Sequence, residues 1–299
     1  MGFKLAKRCS NSSISTCPET PTSSSEFLEI PNTPGQSVSE KNCFRHLKKW
    51  CWENDVTMED SLIMRFANFY NFNEEATKLA LERHQDNHFL KLQMRGPIVK
   101  QFQKGALFPL PGLKTKRQRS EVCYFRPSRF CPKTADSSVL IENLCYVLND
   151  LSTTEEQCQH GITFLANMKS FSTKLYDEQF WLELLNVLQG NVIPVHIASF
   201  IVLNPPTWFG RIWRQMNTHM SPDFLKKVRL VEREDLPDYF EQGYETYMPS
   251  DMQGWRKTSE MVEDYIDRRV FIDKQAVKKK KHRFSESLEL RLLEVPLEV

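Results

Sequence analysis

Between Val195 and Phe209 the chain runs VHIASFIVLNPPTWF. The apolar stretch is too continuous for a strand with one wet face, and two prolines end it, so it predicts a strand buried on both faces. Trp208, Phe209, Ile212, Trp213 and Met216 follow at i, i+1, i+4, i+5 and i+8, the spacing of an amphipathic helix. Upstream, Phe44, Leu47, Trp50 and Cys51 share one face of a helix from Glu40. A second helix from near Met58 carries Leu62, Ile63, Phe66, Phe69 and Tyr70. Asn73 is placed as the N-cap of a third, with Ala76, Leu79, Ala80 and Arg83 behind it. These three helices predict a small bundle over residues 40–106. The segment Leu107–Arg119, with Pro109, Pro111 and Gly112 before KTKRQR, reads as a linking loop. Strands are then expected at Glu121–Phe125, Gly161–Ala166 and Val195–Leu203, and helices at Ser137–Leu148 and Glu178–Leu188. Strands alternating with helices predict an α/β layer over residues 120–255. Residues 256–299 hold one more helix, Trp255–Asp273, and a basic tail. Residues 1–39, rich in Ser, Thr and Pro, are expected to be disordered, because such a composition buries too little apolar area to offset chain entropy.

Composition narrows the function more than the fold. At 299 residues and 40% hydrophobic content the chain fills one large domain or a small one beside a larger one. A formal net charge of +2 means that attraction to anions must come from local clusters. No window approaches the roughly 20 apolar residues of a membrane span, and Met1–Ser10 is not followed by a signal core, so a soluble, cytoplasmic monomer is expected. The eight cysteines lack a Cys-x-x-Cys pair and read as reduced thiols. Cys158 with His160, the nearest thing to a metal cluster, falls in TTEEQCQHG, which reads as a surface loop. There is no His-Cys-x-x-Gly-x-x-Arg phosphatase loop, phosphate-binding P-loop, His-Glu-x-x-His helix or Gly-x-Ser-x-Gly elbow. Glu155-Glu156 and Glu232/Glu234 lie in charged runs that read as solvated faces. Neither an enzymatic activity nor a cofactor or metal is expected, and nucleic acid is not an expected partner.

The strand, its Asn204-Pro205-Pro206 stop and the helix behind it resemble the CRAL-TRIO family, in which a central strand ends in an Asn-x-Pro turn before a mobile gate helix. The resemblance spans about Phe44 to Gly254. Its "Phe-Leu-Arg-Ala-Arg-x-Phe-Asp" segment is met here by Phe66-Ala67-Asn68-Phe69-Tyr70-Asn71-Phe72-Asn73, with both internal arginines replaced, by Asn68 and Tyr70. In some members those arginines contact phosphoinositide head groups. Its "Asp-x-x-Gly" is met by Asn167-Met168-Lys169-Ser170, and its "Leu-Pro-x-x-x-Gly-Gly" by Met248-Pro249-Ser250-Asp251-Met252-Gln253-Gly254. The Asn-Pro-Pro-Thr-Trp-Phe wording is similar to the CRAL-TRIO module of a non-receptor tyrosine phosphatase, whose catalytic motif is missing here.

The resemblance implies an α/β fold in which a mixed sheet floors an apolar pocket closed by a helical gate, preceded by a small helical bundle. It implies a hydrophobic ligand, either a phospholipid, a phosphoinositide or an isoprenoid-type lipid, exchanged at a transiently met membrane. It places Ile162, Phe164, Ile197, Ser199 and Ile201 of the strands, and Trp208, Phe209, Ile212, Trp213 and Met216 of the gate, around the ligand. Because both strand faces are apolar, a shift of one residue exchanges the strand lists. Arg211, Arg214, Lys226, Lys227 and Arg229 read as head-group contacts or as solubilising charge. The run Lys278, Lys279, Lys280 and Lys281 reads equally as an anionic-lipid contact or a solvated tract. The alternative to a carrier is a non-catalytic adaptor recruited to phosphoinositide membranes.

Overall fold

A computed structural model describes residues 38–131, 137–190 and 192–293, with side chains in its last helix as far as Lys278. The expected disordered segment Met1–Ser37 lies outside these residues. Helices α1 (Val38–Glu53), α2 (Asp60–Phe69) and α3 (Glu74–His84) come first. Their apolar stripes meet in one cluster that includes Leu47, Ile63, Phe66 and Leu81. Asn73 caps α3, its side-chain oxygen accepting the Ala76 N–H at 3.0 Å. A further helix, α4 (Gly96–Gln103), was not read from the sequence; Pro97 opens it and Ile98 and Phe102 are fully buried.

Five strands form one mixed sheet: β1 (Leu107–Lys114), β2 (Glu121–Phe125), β3 (Ile162–Asn167), β4 (Ile197–Leu203) and β5 (Val228–Val231). They lie in chain order, β1 antiparallel to β2 and the other neighbours parallel. Helices α5 (Ser137–Asp150) and α6 (Glu155–His160) join β2 to β3, α7 (Glu178–Gln189) joins β3 to β4, and α8 (Phe209–Asn217) and α9 (Pro222–Leu225) join β4 to β5. The short α10 (Leu236–Tyr239) and the long α11 (Thr258–Leu293) follow.

Two local readings are corrected. Leu107–Arg119 is no linker: its first eight residues are strand β1. Pro109 and Pro111 are tolerated because β1 is the edge of the sheet and its register slips between Pro109 and Lys114. The buried run Ala106–Leu110 was the signal. TTEEQCQHG is no surface loop either: it is helix α6, opened by a capping box between Thr154 and Gln157, with Cys158 buried. The last helix also begins later and runs further than expected, leaving Trp255 outside it and 84% exposed.

Two buried polar networks fasten the periphery. Arg269 on α11 pairs with Asp150 of α5 at 2.6 Å and reaches the Tyr146 hydroxyl through Nε at 3.0 Å. The Tyr265 hydroxyl donates to Asp150 at 2.9 Å. Asp251, in the stretch before α11, pairs with Arg126 and accepts from the Tyr124 hydroxyl at 2.9 Å.

Candidate ligand-binding site

The sheet continues past β3 and β4 into turns that leave the standard strand conformation. Asn167 ends β3 and its side-chain oxygen accepts the Lys169 N–H at 3.1 Å. Ser170, where the resemblance expects glycine, holds φ +65°. Asn204 ends β4 at φ +53°, a left-handed conformation that asparagine tolerates better than most residues. Its amide nitrogen reaches the Asn167 oxygen at 3.4 Å. Pro205 and Pro206 cannot extend the ladder, and α8 starts at Phe209, whose N–H donates to Pro206 at 2.9 Å.

Helix α8 lies over an apolar cavity. The floor is Ala166 of β3 with Phe200 and Val202 of β4; Trp181, Leu184 and Leu185 of α7 form a wall. Phe209, Ile212, Trp213 and Met216 of α8 form the roof, and Met168, Phe171, Met220 and Phe224 close the ends. Phe209 and Trp213 stack at 6.0 Å, and Phe171 touches Trp181 at 6.0 Å. The free space is about 30 Å³, room for a water or two. The opposite face of α8 carries Arg211 and Arg214, both exposed. A surface hydrogen bond of 2.5 Å from Gln215 to Glu178 ties α8 to α7.

Four of the five expected gate residues therefore meet at the cavity. Trp208 sits beside it, packed on Phe171 at 5.5 Å. The strand residues do not line it, for two reasons. Ile162 and Phe164 share the alternation of Ala166 but precede it on β3, below the cavity, where Phe164 stacks on Phe200 at 5.6 Å. Along β4 the register slips between the pairs Ile162–Ile197 and Thr163–Ser199, so one extra residue reverses the alternation. Ile197 precedes the bulge and stays clear of the cavity, while Ser199 and Ile201 are carried to the far face and Phe200 and Val202 replace them. There the Ser199 hydroxyl meets Thr163 at 3.1 Å, and Thr163 meets Ser120 at 2.7 Å.

The expected head-group cations divide. Lys226 is paired with Asp223 at 3.0 Å, and Arg229 donates to the carbonyls of Lys226 and Val228. Lys278 is exposed on α11, and the side chains of Lys279, Lys280 and Lys281 lie outside the described residues. Lys227 instead joins Arg117, Arg119, His160 and His196 around an open groove of about 460 Å³ at the foot of β4. The sequence hid this groove because its residues come from four separate segments. The His196 ring lies against Phe69 at 4.4 Å, and burial, then Lys227, push its pKa below the ordinary value. Among the described residues no cluster of His, Cys, Asp and Glu suits a metal, and no helix is long and apolar enough to cross a membrane.

The profile of the CRAL/TRIO domain matches residues 106–254, from the edge strand through the gate to Gly254. The chain carries a CRAL/TRIO domain. Gly254, the last matched residue, has no room for a side chain: a Cβ there would stand 1.7 Å from the Met248 carbonyl oxygen. Gln253, in place of the family's first glycine, takes φ +61°. The solved structure of Sfh5 is similar in fold, at 15% identity and a TM-score of 0.50, covering 72% of this chain and 88% of that one. Among curated proteins, none matches the chain.

Proposed function

We propose that the protein binds one hydrophobic ligand between the sheet and helix α8, with α8 as its gate, and exchanges that ligand at membranes without covalent chemistry. Lipid binding and transfer are the common property of the CRAL/TRIO family. The observation that carries the reading is the two-sidedness of α8. Phe209, Ile212, Trp213 and Met216 face an apolar cavity, and Arg211 and Arg214 face outward. An apolar ligand gains about 0.8 kcal/mol per CH2 on leaving water, so it needs a lid that opens only where a bilayer replaces the protein. When α8 swings out on Asn204-Pro205-Pro206, its aromatic face enters the membrane interface, where tryptophan is favoured, and its arginines meet anionic head groups. Arg117, Arg119 and Lys227 around the groove, and the run from Lys278, supply further cationic surface for such a membrane.

Paired replacement Ile212→Asp and Trp213→Asp tests the gate. Both residues are half-buried at the rim of the fold, so circular dichroism is expected to stay unchanged while ligand transfer between vesicles falls at least tenfold. Unchanged transfer would remove α8 from the mechanism.

The closed cavity of about 30 Å³ favours a second reading, in which the pocket never fills and the domain is a membrane-recruited adaptor. Vesicle transfer separates the two, since an adaptor binds vesicles without moving their contents.

A further inference from the structure

The wall of the cavity restricts what could enter it, and this inference rests on the carrier reading above. All the residues that surround the space are apolar or aromatic, and Tyr176 carries the sole hydroxyl among them. The buried side-chain polar atoms that lack partners among the described residues, on Arg65, Gln101 and Asn143, belong to residues outside this wall. No lysine, arginine, histidine or carboxylate lines the space. A phosphate drawn into it would lose its water and find no counter-charge in return, and no donor beyond the Tyr176 hydroxyl and the indole N–H groups of Trp181 and Trp213, which is a costly case for a buried ion. A zwitterionic head would need partners of both signs and would find neither.

The wall also has a shape. Phe171, Trp181, Phe200, Phe209, Trp213 and Phe224 contribute six rings around it. The Phe200 ring lies 6.3 Å from Phe224 on the floor side, and Phe209 stacks on Trp213 in the roof. A space walled by rings suits a flat, rigid body better than two flexible acyl chains, because such a ligand can stack on the rings and loses less conformational freedom on binding. Met168, Met216 and Met220, at the ends and roof of the space, are the unbranched, adaptable side chains that can give way as it widens.

We infer that the cargo is an uncharged hydrophobe with a flat ring or polyene body, and that phospholipids are excluded from the pocket. The test uses the full chain and probes that differ in their head group. Methyl parinarate and parinaroyl phosphatidylcholine carry the same fluorescent polyene, one neutral and one with a phosphate head; dehydroergosterol adds a neutral fused-ring probe. Each is offered in the same neutral vesicles, and uptake is read by energy transfer from the protein's tryptophans. At least one neutral probe is expected to be taken up more than tenfold better than the phosphatidylcholine. Filling the floor with Ala166→Trp is expected to reduce that uptake at least tenfold, with thermal unfolding confirming the fold. Val202→Phe serves where Ala166→Trp fails to fold. Equal or better uptake of the phosphatidylcholine, itself abolished by the floor variant, overturns the inference and leaves the carrier reading standing. Uptake of no probe, or uptake indifferent to both floor variants, overturns the carrier reading and the inference with it.

Discussion

The two faces of the sheet are held by different forces. Toward α8, Phe164, Ala166, Phe200 and Val202 meet only apolar groups, and the nearest directional tie of the roof is the surface bond from Gln215 to Glu178. On the other face, Thr115, Ser120, Thr163 and Ser199 form a chain of hydroxyls at 2.7, 2.7 and 3.1 Å. Beyond it Asn167 donates to the Tyr124 hydroxyl at 3.0 Å, which donates to Asp251 beside Arg126. Buried polar groups with specified partners hold one arrangement, because any shift leaves a donor or acceptor unpaired at a cost of about 1–3 kcal/mol each. Apolar contacts lose only area when they slide. The side proposed to move is thus tied only by exposed hydrogen bonds, from Gln215 to Glu178 and between Gln189 and the backbone of His219 and Ser221, and the side that must keep the sheet in place is laced with buried ones.

The sharpest way to break this comparison is to cut the laced side. Asp251→Ala leaves the Arg126 guanidinium and the Tyr124 hydroxyl without their acceptor, and the Asp251 and Arg126 side chains are each only 15% exposed. A loss of about 3–5 kcal/mol in urea unfolding is expected. A loss below about 1 kcal/mol would mean that the polar lacing contributes no more than ordinary surface contacts.

A smaller effect is expected at the junction of the two sides. Asn204 holds φ +53° between β4 and the gate. Asn204→Gly should leave stability within about 0.5 kcal/mol, whereas Asn204→Val, β-branched in a left-handed conformation, should cost about 1–2 kcal/mol. Equal stability of the two variants would show that the turn relaxes freely and does not set the angle of α8.

The smallest effect concerns pH, since no carboxyl or histidine lines the cavity, while the network between α5 and α11 holds a buried carboxyl. Burial raises the Asp150 pKa above its ordinary value even though Arg269 and the Tyr265 hydroxyl pull it down. A carboxyl whose folded pKa is raised contributes stability that is present below its unfolded pKa and is lost as pH rises through the folded value. The stability of the parent relative to Asp150→Asn should therefore decline as pH is raised from about 4, measured by urea unfolding at each pH. A difference that grows with pH would reverse the sign and make Arg269 the dominant influence on Asp150.

Much of the local structure was legible. Strand β2 falls on the expected residues, Asn73 caps α3 as its residue type requires, and Pro205-Pro206 ends β4 because proline lacks the N–H a ladder needs. The amphipathic spacing from Phe209 to Met216 carries directly into the roof of the cavity, since a 3.6-residue period needs no partner to define its face. Other features depended on neighbours. Pro109 and Pro111 look like loop residues until β2 supplies a single partner for an edge strand. Arg65 stands just before the aromatic frame that begins at Phe66, and only the packing of α2 shows it reaching Asn149 at 3.1 Å and Ser152. Burial lowers its pKa to about 10.

What the amino-acid order determined by itself was the first three helices, the central strands with the helices between them, several of their caps and stops, and the apolar face of the gate, all of which follow from interactions within a few residues of chain. Tertiary structure alone decided which face of β4 meets the cavity and where the cations converge. One extra residue against β3 reverses the alternation of a strand that is apolar on both sides, and hydrophobicity there cannot distinguish one face from the other. The basic groove exists only because four distant segments end at the foot of one strand, and no local rule links the charge of one segment to the position of another.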